Sequence, residues 1–164
     1  MPCIAPPPPQ IAATIQVGPA PDYALAFTPA DSASANYIAG NGDLDFSCFN
    51  GSIQVKLTIA TPGVVFYKLY GKDALSFSED ASQPAAKQAV QPGHHQFPGG
   101  VRHLGPQTIA FTYHNDWDGG AGDHQRRYAR SAYGIYLGSA AGQGSTGGFL
   151  HHCDPIVSNG GNQN

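Results

Sequence analysis

"SIQVKLTIA", residues 52–60, is the stretch whose reading decides the fold. Ile53, Val55, Leu57 and Ile59 alternate with Gln54, Lys56 and Thr58. Side chains of an extended chain point to opposite faces in turn, so this pattern sets one apolar row against a core and one polar row toward water. The segment before it, "DLDFSCF", alternates in the same way through Leu44, Phe46 and Cys48. Asn50-Gly51 between the two supplies residues suited to a tight turn, so a hairpin is expected here.

The same signature recurs along the chain in "ATIQV" (to Val17), "YALAFT" (from Tyr23), "VVFYKLY" (from Val64), "ALSFS" (from Ala74), "TIAFTYH" (from Thr108) and "SAYGIYLG" (from Ser131). Each is short, rich in β-branched and aromatic residues, and fenced by Gly/Pro turns. Helices are starved by composition: 21 Gly and 14 Pro stand in 164 residues, and each costs about 1 or 3 kcal/mol respectively in a helix interior. The candidate helix over 81–90 is interrupted by Pro84. The expectation is a single-domain, all-β antiparallel sandwich, immunoglobulin-like or jelly-roll-like, of about eight strands with little helix. Residues 1–10 read as a proline-rich arm, 11–158 as the sandwich and 159–164 as a flexible tail.

Totals exclude several function classes. Charged residues make up 12% of the chain and the net charge is −3, a field too weak to capture nucleic acid or an anionic membrane, so neither is expected as a partner. Cys3, Cys48 and Cys153 form no paired framework. With neither a secretory pattern at the start nor an apolar run of membrane-spanning length, a soluble, cytoplasmic protein is expected. Gly142 to Gly147, "GQGSTG", matches a dinucleotide-binding glycine pattern. The helix and second parallel strand that chemistry needs do not fit in the remaining residues, which leaves a flexible loop.

Chemistry concentrates in "HNDWDGGAGDHQRR", residues 114–127. On an extended chain His114, Asp116 and Asp118 share one side, and Asp123 with His124 returning past Gly119-Gly120 completes a mixed nitrogen and oxygen shell for a divalent cation. The calcium-loop pattern fails, because Ala121 stands where glycine is needed and Arg127 where a bidentate glutamate is needed. The second reading is a long hairpin loop between "TIAFTYH" and "RSAYGIYLG", its aspartates paired in solvent with Arg126, Arg127 and Arg130.

A second polar connection, 91–105, carries His94-His95, which share a side only in a turn. Late aromatics, Tyr113, Trp117, Tyr128, Tyr133 and Tyr136, offer a platform beside Asp and Arg. Trp117, Tyr128, His94, His95 and Arg126 are therefore the candidate ligand contacts, and His114, Asp116, Asp118, Asp123 and His124 the candidate metal ligands.

The ending "CDPIVSNGG", with Asp154-Pro155-Ile156-Val157, resembles the closing motif of the DP-EP family of small bacterial all-β proteins. The segment "GDLDFSCFNGSIQVKLTIATPGVVF" resembles that family's strand followed by a Thr-Pro-Gly turn. The likeness spans about a third of the chain. It implies an all-β fold and leaves the function open. The functions in view are a binding or self-assembly module, homo-oligomeric through edge strands or the N-terminal arm; a small divalent-metal enzyme using the 114–124 loop; and a barrel enzyme with an apolar pocket.

Overall fold

The computed structural model describes residues 9–47, 51–67, 74–78, 80–82, 88–115, 130–140, 149–153 and 155–158. Strands dominate them, as the alternation predicts. In chain order they are β1 (Gln10–Val17), β2 (Leu25–Pro29), β3 (Leu44–Asp45), β4 (Gly51–Ile59), β5 (Val64–Phe66), β6 (Leu75–Ser78), β7 (Gln88–Ala89), β8 (Val101–Gly105), β9 (Thr108–Asn115), β10 (Arg130–Ser139), β11 (Phe149–Cys153) and β12 (Ile156–Ser158). One four-residue helix, α1 (Ser32–Ala35), follows β2, capped by Asp31, whose carboxylate accepts the Ser34 N–H at 2.7 Å. Among the described residues no helix is long and apolar enough to cross a membrane.

Two sheets pack together. The first has five strands in the order β2-β1-β4-β9-β8, and the second has seven, built around β10. Strand β10 is flanked on one edge by β12 and then β11, which pair with its residues Arg130 to Ala132 and Ile135 to Gly138. On its other edge lie β6 and then β5, opposite Ala132 to Ile135 and Leu137 to Ser139. Where the second edge breaks, Tyr136 keeps both backbone groups paired, donating to Ala74 and accepting from Tyr67.

The stretch 52–60 behaves as its alternation demands: Ile53, Val55, Leu57 and Ile59 are all buried, while Gln54, Lys56 and Thr58 face outward. Facing them across a single core are Phe66, Leu75, Ile135 and Leu137 of the other sheet.

Strand pairing departs from expectation in several places. The ladders are mixed: β1 runs parallel to β4, and β12 parallel to β3, where antiparallel pairing was expected. "DLDFSCF" does not form a hairpin with β4. Leu44 and Phe46 do share a buried face, but β3 belongs to the seven-stranded sheet and β4 to the other, so the chain changes sheets between them. The 91–105 connection contains an edge strand, β8, overlooked because Arg102, His103 and Gly105 dilute its apolar pattern. Within the candidate helix 81–90, Gln88–Ala89 is extended and 83–87 lie outside the described residues; a helix is found at Ser32–Ala35. Among the described residues β7, β8, β11 and β12 join the eight expected strands, and two of these additions, β7 and β12, have only two and three residues. These two are too short for periodicity to register.

Candidate functional site

Strand β9 ends at His114 and Asn115, beside the start of β4 at Gly51 and Ser52. The expected hairpin between "TIAFTYH" and "RSAYGIYLG" is not formed. β9 pairs with β4 and β8 in one sheet, whereas β10 pairs with β5, β6, β11 and β12 in the other. The connection 116–129 therefore joins the two sheets at one end of the molecule.

The histidine turn docks at this same end. The backbone N–H of His114 donates to the Gln96 carbonyl at 2.9 Å, which ties the turn to the last residues of β9. Gln96 is fully buried, and its amide nitrogen lies 3.4 Å from the Tyr113 hydroxyl. Its backbone N–H donates to Nδ1 of His94 at 3.2 Å, which requires that nitrogen to be unprotonated and leaves the ring proton on Nε2. His114 presents Nδ1 to the Ser52 hydroxyl at 3.0 Å.

Aromatic packing surrounds the turn. Phe97 is buried edge-on against Phe77 (4.9 Å) and Tyr113 (5.4 Å). His94 meets Phe77 edge-on at 5.6 Å and stacks on exposed His95 at 4.9 Å with 13° between the rings. Adjacent histidines can lie face to face because the chain turns here: Gly93 and Gly100 take φ of +91° and +61°, which glycine alone adopts without strain.

Of the candidate residues, His94, His95 and His114 are thus brought to one end. Among the described residues no group of three or more His, Cys, Asp or Glu side chains could hold a metal ion. Trp117, Tyr128, Arg126, Asp116, Asp118, Asp123 and His124 lie outside the described residues. The aromatic platform loses two members, because Tyr113 and Tyr133 are buried in the core. Tyr133 crosses to the Gly42 carbonyl, with its hydroxyl donating. Sequence reasoning overlooked Gln96, Ser52 and Asn115. A lone polar residue carries no period, and only contacts distant in sequence make these three important.

The fold defines an all-β protein of two packed, mixed sheets. No family model matches the chain, and neither a curated protein nor a solved structure does.

Proposed function

We propose that the chain is a non-catalytic binding or self-assembly module whose contact surface is the end of the two sheets. That surface comprises the His94-His95 turn and the segment 116–129, with Trp117, Arg126 and Tyr128. The observation that carries this reading is the His114 N–H to Gln96 carbonyl bond, which joins the turn to the root of that segment. The bond brings the turn beside the strand end from which 116–129 departs, and loops carried on a sheet scaffold are where recognition commonly sits. The resemblance to the DP-EP family belongs to the same proposal and adds no activity to it.

Sedimentation velocity on the untagged full chain over a concentration series tests the self-assembly form of this reading. The expected result is reversible association weakened by His95→Ala and by Trp117→Ala. A monomer at every concentration overturns that form. Stoichiometric metal in native mass spectra, lost in Asp118→Ala, overturns the module in favour of divalent-cation chemistry at 114–124.

A further inference from the structure

The outer face of the five-stranded sheet has an order that the fold does not require. Its registers place Thr28 opposite Thr14, Thr14 opposite Thr58, and Thr58 opposite Thr108, so four threonines form one row across β2, β1, β4 and β9. Adjacent strands lie about 4.8 Å apart, which makes the row a ladder of hydroxyls at that spacing. Thr58 and Thr108 lie within 3.4 Å of each other, oxygen to oxygen. On the neighbouring row Lys56 and Arg102 flank Ala110, two strand spacings or about 10 Å apart. Ala110 points outward yet is only 2% exposed, so its longer neighbours close over it. The next row pairs Gln10, Gln54 and Thr112.

Charge is distributed one-sidedly. Among the described residues of this face there is no carboxylate, and neither Lys56 nor Arg102 has an ion-pair partner, although the chain as a whole carries a net charge of −3. The face thus offers two separated cations within rows of uncharged hydroxyls and amides. The complementary ligand is an extended polyol that carries carboxylates.

We propose that this face binds an acidic polysaccharide whose uronate carboxylates meet Lys56 and Arg102 while its hydroxyls exchange hydrogen bonds with the threonine and glutamine rows. Charge-assisted bonds from Arg and Lys give the carboxylates their hold. Single-stranded nucleic acid fits less well. Apart from the His114 imidazole, the described part of the face has no aromatic ring on which bases could stack. The proposal uses Lys56, Arg102 and the threonine and glutamine rows and neither His94 nor His95, so it stands independently of the preceding one.

Titration calorimetry of the full chain with calcium-free polygalacturonate, with neutral dextran and with an oligodeoxythymidine tests it. The expected result is saturable, salt-sensitive binding to polygalacturonate and none to dextran. In Lys56→Gln/Arg102→Gln that binding falls by roughly tenfold or more, and Thr14→Ala/Thr58→Ala weakens it further without removing its salt dependence. Both variants replace outward-facing residues, and an unchanged melting temperature and circular dichroism spectrum verifies that they fold. Absence of binding to polygalacturonate, binding indifferent to loss of the two cations, or preference for the oligonucleotide overturns the proposal. Self-association at the loop end is measured separately, so the two readings fail separately.

Discussion

The side-chain amide of Asn115 donates to the backbone carbonyl of Phe46 at 2.8 Å, with Asn115 wholly buried. Asn115 is the last residue of β9 in one sheet, and Phe46 lies just beyond β3 in the other. One hydrogen bond therefore closes the two sheets together where the chain changes layers. Removing it leaves a buried carbonyl without this donor, and Asn115→Ala is expected to cost about 1–3 kcal/mol. Urea denaturation checks this; a loss within a few tenths of a kcal/mol of zero argues that water replaces the donor.

Phe97 anchors the histidine turn by filling the space between Phe77, Phe111 and Tyr113. Truncation to Ala removes a large buried ring and is expected to cost about 3–5 kcal/mol. Because His94 meets the same ring at 5.8 Å, its imidazole resonances should shift in the same variant. Unchanged His94 shifts in a destabilised Phe97→Ala protein would show that the turn is held by its backbone bonds alone.

Gly42 and Gly63 both take positive φ, at +90° and +78°, but their surroundings differ. A Cβ at Gly42 falls 2.5 Å from the buried Phe27 ring, whereas at Gly63 nothing lies within 4 Å. Gly63→Ala should therefore cost only the backbone penalty, about 1–2 kcal/mol. Gly42→Ala adds roughly 1–3 kcal/mol of overpacking. Thermal melts of the two variants should rank them in that order, and equal losses refute the steric difference.

Asp31 caps α1, and the hydrogen bonds from the Ser34 backbone and hydroxyl hold its carboxyl below the ordinary aspartate range. A folded-state pKa below the unfolded one means the carboxylate stabilises fully above the unfolded value, and that contribution is lost as pH falls through the folded value. The acid limb of the stability curve should therefore flatten in Asp31→Ala. Carbon-detected NMR titration of the Asp31 carboxyl gives the direct check: a midpoint at or above that of an unstructured aspartate removes the basis for the effect.

The alternation in 52–60 made the core face of β4 legible, and the shorter runs ending at Val17 and starting at Thr108 did the same for β1 and β9. Leu44 and Phe46 were likewise correctly placed on one buried side. Their partners were not legible. β3 joined the parallel neighbour β12 rather than the adjacent β4, and β8 was concealed by Arg102 and His103, whose polarity suits an edge strand and a loop equally. At the candidate site, Pro92-Gly93 left a turn at His94-His95 open, and the structure forms one. The junction of that turn with His114 through Gln96 was not legible, because a backbone bond between residues 18 apart leaves no local mark.

By itself, then, the sequence of this protein determined that its segments are extended and which side of each faces a core, because side-chain alternation is a property of one strand alone. Tertiary structure decided which strands are neighbours, that β9 and β10 belong to different sheets, and that threonines from four segments fall into one row. Strand edges present the same backbone donors and acceptors whatever their side chains, so partner and register are set by how all the buried faces pack at once.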